Sequence, residues 1–302
     1  MEASRATRPE VAAWAATGIR PLAADYVALT KPKVQSLLLL TTITTMYVAG
    51  DPSLGLVALT VLGGSLSAGG AAAVNHYWDR DIDAQMRRTA TRPVPAGRVS
   101  PRAALTYGVA LGALSFALLA ATVNLLAACL ALAGFAGYVF VYTIWLKRST
   151  PQNIVIGGAA GAVPPLVGWA AVTGGLDPAA LYLFAIVFYW TPPHFWALSL
   201  LMKDEYARVG VPMMPVVHGE VETRRQIVLY TVLLAVLTLL PVVFGFFGAL
   251  YAAGAVVLGG GFVTLALRLQ RRGDRAAALR TYLFSLAYLA LLFGVMVADA
   301  RL

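Results

Sequence analysis

Charge is scarce in this chain: only 12% of its 302 residues are Asp, Glu, Lys or Arg, about half the share of an ordinary soluble domain. Acids number fourteen and histidines three. Cysteine occurs once, as Cys129 inside an apolar run. One cysteine excludes a disulfide framework and any cysteine-based metal site, and leaves that thiol as a small packing residue. What fills the chain instead is apolar, with 59% hydrophobic residues and a mean hydropathy of +0.74. That balance excludes a soluble globular protein and describes a polytopic membrane protein given over almost wholly to spans.

A bilayer core asks for about 20 apolar residues per helix. This window marks nine spans, at 30–49, 54–75, 103–121, 124–145, 153–173, 178–201, 226–245, 249–269 and 278–299. The expected fold is an all-α bundle of nine transmembrane helices. Residues 1–29 precede it as an N-terminal segment, and 30–302 form one domain. Residues 1–33 are polar and mixed in charge. They read neither as a cleavable signal peptide nor, with Glu2, Glu10 and Asp25, as an acid-poor transit peptide.

The net charge of +9 invites a nucleic-acid or anionic-lipid reading, which its distribution removes. Segment 1–33 and the loops after spans two, four, six and eight carry 22 of the 23 Lys and Arg residues, leaving Arg301 alone on the other side. The positive-inside rule then puts the N-terminus and the long loops, 76–102 and 202–225, in the cytoplasm. The basic residues track membrane topology, so no nucleic acid is expected as a partner.

Three of the fourteen acids fall in Asn75–Pro93, NHYWDRDIDAQMRRTATRP. Asn75, Asp79 and Asp83 are spaced i, i+4 and i+8, so on a helix they stack along one face while Asp81 points elsewhere. Converging hard oxygens at the mouth of a membrane helix suit a Mg²⁺-bound diphosphate. Arg80, Arg87, Arg88, Arg92 and Arg98 lie in or just beyond the stretch and can hold the anion. The bland alternative is a solvated polar loop. In loop 202–225, Asp204 falls on the same membrane side and either completes a second metal site or simply caps a helix. Lys203 beside it, and Lys147 and Arg148 at the end of span four, are basic groups within reach of that face or plain topology anchors.

Within span six, Trp190-Thr191-Pro192-Pro193-His194-Phe195-Trp196 joins a proline pair to an intramembrane histidine. The prolines are expected to kink or break the helix and free backbone carbonyls. An ionisable group at that depth marks a functional hypothesis by default. Gly157 and Gly161 form a small-xxx-small pattern, read as close helix packing. Pro164-Pro165 is expected to kink span five.

From about Leu29 onward the chain resembles the UbiA-type intramembrane prenyltransferases. The residues that carry the likeness are Asn75 through Asp83 with Met86 and Arg88, Arg92-Pro93, Tyr142-Thr143, Leu146-Lys147-Arg148, Asn153 through Gly158, Pro164-Pro165, Pro192 through Trp196, and Lys203 through Tyr206 with Pro212 through Pro215. The first motif is common to the family; its combination with Pro-Pro-His-Phe-Trp resembles the branch whose members farnesylate protohaem IX. The resemblance implies a nine-helix bundle around a central cavity open to the cytoplasm, in a bacterial plasma (inner) membrane. It implies farnesyl diphosphate and haem B as substrates, haem O as product and Mg²⁺ as cofactor. Asp79, Asp83 and Asp204 become catalytic, and with Asn75 they hold the metal. Arg80, Arg87, Arg88, Arg92, Lys147, Arg148 and Lys203 take the diphosphate, while His194, Trp196, Tyr142 and Asn153 take haem. Haem A synthase or cytochrome oxidase assembly proteins are the partners of such an enzyme.

The chain departs from the family at one point. Many members carry a second Asp-x-x-x-Asp, whereas Asp204 here is followed by Arg208. The second metal site therefore rests on Asp204 alone, or cations replace part of it. His194 is left with two roles, axial contact to the haem iron or hydrogen-bond donor to a propionate or water. Two other readings stay open, an enzyme of the family with an aromatic or quinone-precursor acceptor, and a transporter or haem carrier.

Overall fold

Polar residues placed between apolar runs start the helices. Ser53, Ser100, Asn124, Asp177 and Asp274 each accept a hydrogen bond from a backbone N–H two or three residues on, satisfying a donor that a helix start leaves orphaned. Pro101 and Pro178 follow two of these caps at the first helical position, where a missing N–H costs nothing. Gly174 and Gly273 close two helices with φ of 70° and 65°, the left-handed conformation that glycine adopts without penalty.

The computed structural model describes residues 19–302. The segment before them, with the expectation about a leader and with Arg5 and Arg8 of the charge count, lies outside the described residues. Every regular element among the described residues is helical. It comprises α1 (Ile19–Leu29), α2 (Pro32–Ala49), α3 (Leu54–Trp78), α4 (Arg80–Gln85), α5 (Pro101–Thr122) and α6 (Leu125–Ala136). Then come α7 (Asn153–Gly161), α8 (Val163–Thr173), α9 (Pro178–Leu201), α10 (Lys203–Arg208), α11 (Met214–Val217), α12 (Gly219–Val243), α13 (Ala249–Arg272) and α14 (Arg275–Asp299). Beyond α6 the same helical run winds down as a π-helix, Gly137–Trp145, and a 3₁₀ turn, Leu146–Arg148.

Seven helical stretches among the described residues are long and apolar enough to cross a membrane, against the nine expected. The other two, α2 and α9, stand where spans were expected but are less apolar. Their polar content has a structural reason, since both are packed inside the bundle. In α2 the buried Thr41, Thr42 and Thr44 bond carbonyls three or four residues back in their own helix at 2.7–3.1 Å. In α9, which packs against α7, α8, α12 and α14, Thr191 Oγ1, Trp190 Nε1 and His194 Nδ1 find partners in α9 itself or in α14. The outer surface carries the lipid-facing residues instead, with Val109, Leu114, Phe140, Leu233 and Val257 all exposed. Cys129 also points outward and is not a core packing residue.

Two kinks were expected at proline pairs. At Pro164-Pro165 the chain does break, with α7 ending at Gly161 and α8 beginning at Val163. At Pro192-Pro193 it does not, and α9 runs through unbroken. Of the expected glycine pair, Gly157 does pack closely: a Cβ there would come within 2.5 Å of Tyr142 Cδ2. Gly161 has nothing within 4 Å of such an atom, because it lies at the α7–α8 break. Helix backbones also cross closely between α3 and α5, where a Cβ on Gly70 or Gly108 would meet the other's carbonyl oxygen at 2.6 or 2.7 Å.

The two ends of the bundle differ in charge as expected. At one end Arg301 bonds Gly50 O and Asp51, and Asp299 accepts from the backbone N–H groups of Gly248 and Tyr251. The opposite, basic end gathers Lys31, the α4 segment, the end of the α6 run and α10.

Candidate functional site

α3 ends and α4 begins at Asp79, whose φ of −90° and ψ of 9° bend the chain. The i to i−4 bonding nevertheless continues across the bend: Asp79 N donates to Asn75 O at 2.9 Å and Asp83 N to Asp79 O at 2.8 Å. Asn75, Asp79 and Asp83 therefore form the single column that their spacing predicts. They are 3%, 0% and 3% exposed, whereas the Asp81 side chain keeps 57% of its surface. Asn75 Nδ2 donates to Asp79 Oδ2 at 2.7 Å and to Thr143 Oγ1 at 3.2 Å.

A buried carboxylate needs a cation or several donors, and each here has one. Lys147 Nζ lies against Asp79 Oδ2, with Arg148 Nη2 3.4 Å from Asp79 Oδ1. Arg92 Nη1 bonds Asp83 Oδ2 at 2.7 Å, and Thr89 Oγ1 secures the Asp83 carbonyl at 2.9 Å. Arg148 also forks onto both Asp81 oxygens at 2.7 Å, which holds the Asp81 carboxyl at about 2. The π-helical turn of the α6 run carries Thr143 to Asn75, and the 3₁₀ turn after it carries Lys147 and Arg148 to the carboxylates. Irregular helix of this kind concentrates at functional sites.

The other expected anion-binding residues divide. Arg87 and Arg88 are exposed beside the column. Arg80 turns back on Tyr77, bonding its carbonyl at 2.7 Å and lying 4.8 Å from its ring centre. Lys203 bonds Glu220 at 3.1 Å. Arg98 bridges Asp25 of α1 and the Thr91 carbonyl, tying α1 to the loop. Asp204 is exposed on α10. That helix reaches the motif through Tyr206, which packs in one cluster with Ile82, Met86 and Ile154.

Lys31 joins the site unannounced. It was counted among the topology charges, yet its Nζ donates to Asn75 Oδ1 at 2.8 Å. It is the only non-glycine residue among those described with positive φ, 52°, a conformation that recurs where function overrides local preference. Gln35 Nε2 braces this joint by bonding Thr30 O at 2.6 Å. Burial, then the nearby Arg92 and Lys147, lower the Lys31 ammonium to about 7. Its signal in sequence was a lysine wedged before Pro32 at the mouth of the first span.

Of the expected haem residues, Tyr142 lies beside the column in the Tyr206 cluster, 5.4 Å from Tyr138 between ring centres. Asn153 is fully buried; its Nδ2 bonds Thr150 O while Oδ1 has no partner. His194 is 7% exposed, stacked between Trp190 and Tyr282 with ring centres at 4.3 and 5.0 Å. Trp196 faces away into a cluster with Met214, Ile227 and Leu269, so it packs α9 against α12 and α13. His76 is 1% exposed with neither ring nitrogen partnered.

Among the described residues no three Asp, Glu, His or Cys side chains converge as a self-sufficient metal cage. The column supplies two carboxylates and one amide, all hard oxygen donors. Mg²⁺ is bound through one or two carboxylates, with substrate phosphates and water completing its shell, so the donor set fits that ion.

Membrane-length helices around a buried Asn-Asp-Asp column, ringed by cations, define an integral membrane protein with oxygen donors and positive charge gathered at one end of its bundle. The chain belongs to the UbiA prenyltransferase family, which it matches over residues 38–292. It is 58% identical over 277 residues to the protein of Roseiflexus sp. (strain RS-1) named protoheme IX farnesyltransferase, a match covering 91% of this chain and 52% of the relative. It is 55% identical over 281 residues to the protein of that name in Symbiobacterium thermophilum, covering 91% of this chain and 93% of the relative. The chain thus spans about half the length of the first relative and nearly all of the second. A UbiA homologue from Archaeoglobus fulgidus solved with DMAPP and Mg²⁺ superposes with a TM-score of 0.68 at 18% identity, over 90% of this chain and 99% of that one. That likeness is one of fold.

Proposed function

We propose that this protein transfers the farnesyl group of farnesyl diphosphate to a vinyl group of haem B, giving haem O and diphosphate. The observation that carries the reading is the buried Asn75–Asp79–Asp83 column with Lys31, Arg92, Lys147 and Arg148 around it. The relatives named protoheme IX farnesyltransferase support the choice of acceptor. The homologue that holds DMAPP and Mg²⁺ supports the choice of donor and ion.

In this mechanism Asp79 and Asp83, with Asn75 beside them, would hold Mg²⁺ with the diphosphate, and Asp204 of α10 would add a carboxylate from the second loop. The ion supplies charge neutralisation for the departing diphosphate. Lys147 and Arg92 then find their carboxylates shared, and together with Lys31, Arg87, Arg88 and Arg148 they turn to the phosphate oxygens as charge-assisted donors. The allylic C–O bond breaks with its electron pair on the diphosphate. The vinyl π electrons form the new C–C bond, and water adds to the resulting cation, losing a proton. The apolar bundle keeps other water from the first cation. The basic end is the cytoplasmic one by its charge, in a bacterial plasma membrane, with residues 30–302 as one domain. Haem O would pass to haem A synthase or a cytochrome oxidase assembly protein.

The test is to incubate purified protein with haem B, farnesyl diphosphate and Mg²⁺ and separate the haems by reversed-phase chromatography with mass detection. A product of the mass of haem O, absent with EDTA, is expected. Diphosphate release with aromatic acids but not with haem would overturn the choice of acceptor.

A further inference from the structure

Ser285 Oγ makes two short contacts on α14. It lies 2.6 Å from the carbonyl of Tyr282, one turn back, and 2.7 Å from His194 Nδ1 across the α9–α14 interface. A serine hydroxyl has one proton. If it pointed at Nδ1, the Oγ–carbonyl contact would hold two oxygen lone pairs at 2.6 Å with nothing between them. Only one arrangement gives each contact a proton: Ser285 donates to Tyr282 O, and His194 Nδ1–H donates to Ser285 Oγ. The imidazole is then the Nδ1–H tautomer and Nε2 carries a bare lone pair.

The remaining contacts hold the ring that carries that lone pair. Trp190 and Tyr282 cover the two ring faces at interplanar angles of 18° and 29°, and Phe195 stands edge-on at 87°. Trp190 is itself pinned, its Nε1 donating to Ser285 O at 2.8 Å. Nε2 has no hydrogen-bond partner among the described residues. It is less deeply enclosed than the two ring nitrogens of His76. The imidazole is held between its neighbours, and one basic nitrogen is left unpartnered.

We infer that Ser285 is the positioning residue that makes His194 Nε2 an axial ligand to the iron of the haem substrate. This rests on the reading of haem B as acceptor. A bare nitrogen cannot donate to a propionate, which removes that role for His194. An imidazole that ligates a metal characteristically donates its other N–H to a fixed acceptor, and removing that partner typically costs 10- to 100-fold in affinity. Ser285 stands in that place, one bond behind the ligand.

The experiment is to add haem B to the purified full-length protein and record absorption and ferrous resonance Raman spectra of the complex. Wild type is expected to show an iron–imidazole stretch. Ser285→Ala should shift that band to lower frequency and weaken haem binding about tenfold, and Ser285→Thr, which keeps the hydroxyl, should restore both. His194→Ala should lose the band and regain it with added imidazole, whose space the flanking rings preserve. An unchanged band in Ser285→Ala, or its persistence in His194→Ala, overturns the inference. Haem O formation by a wild type that shows no imidazole band overturns the inference alone. A wild type that neither binds nor farnesylates haem overturns the underlying reading with it.

Discussion

Arg92 Nη1 lies 2.7 Å from Asp83 Oδ2, with the arginine side chain 22% exposed and the aspartate 4%. The carboxylate that is to meet a cation thus already has one, and Lys147 serves Asp79 in the same way. Removing one partner of a buried pair leaves an uncompensated charge, at a cost of about 3 kcal/mol. Arg92→Ala should therefore lower the thermal midpoint in metal-free detergent. Mg²⁺ with a non-hydrolysable farnesyl diphosphate analogue should raise it more in the variant than in wild type. Equal stabilisation of the two proteins would count against a shared role of Asp83 in pairing and metal binding.

Asp79 and Asp81 stand two residues apart and should behave as opposites. Asp79→Asn removes a fully buried carboxylate and is expected to lower kcat/KM at least about a thousandfold, or some 4 kcal/mol of transition-state stabilisation. Asp81→Asn should stay within a few-fold, because its bidentate bond to Arg148 is solvent-exposed and contributes about 0.5 kcal/mol. Arg148 holds the Asp81 pKa down to about 2. The stabilisation from that pair is therefore present above the ordinary carboxylate range, near 4, and is lost as pH falls through about 2. Steady-state kinetics of both variants, with stability followed between pH 5 and 2, checks the contrast.

The span positions and the Asn75–Asp79–Asp83 column were legible because both follow from helical periodicity, which needs only residue spacing. Helix interruptions were less so. Pro164-Pro165 falls at a helix start, where proline is tolerated, and the chain breaks there. Pro192-Pro193 sits in a helix held on several sides by neighbours, and α9 stays whole. Lys31 and Ser285 were missed for a common reason. Each acts across a distance of more than forty residues, on Asn75 and His194 respectively, and no local pattern encodes such a meeting. Trp196, two residues past His194, lies on a different face of the same helix and packs into a separate cluster, a difference of face that the adjacency of the motif hides.

Lys31 provides a test of that non-local reading. Its ammonium is held at about 7 by burial and by neighbouring cations, so it gains most when an anion arrives. Lys31→Met keeps the length and the apolar stem. It should raise the KM for farnesyl diphosphate about tenfold, equivalent to some 1.4 kcal/mol, with a much smaller effect on haem affinity. Equal effects on both substrates would make Lys31 a structural brace of the α1–α2 joint.

Gly70 makes a prediction about the frame that carries the column. A Cβ placed on it would meet Gly108 O at 2.6 Å and Gly112 N at 3.0 Å, both backbone atoms of α5. A flexible side chain could swing aside; a helix backbone moves only if α3 and α5 separate. In a bilayer such separation forfeits the dispersion contacts that drive helix association, since lipid offers no hydrophobic gain in exchange. Asn75 lies five residues further along α3, so a displaced crossing also shifts the column relative to Lys147 and Arg92. Gly70→Ala is therefore expected to destabilise by about 2–3 kcal/mol and to lower farnesyl transfer in the fraction that folds. Gly260→Ala is the matched control within α13, where an added Cβ has nothing within 4 Å; it should leave both properties unchanged or slightly raise stability. Thermal unfolding and turnover of the two variants side by side separate loss of close packing from the general effect of replacing a glycine in a membrane helix.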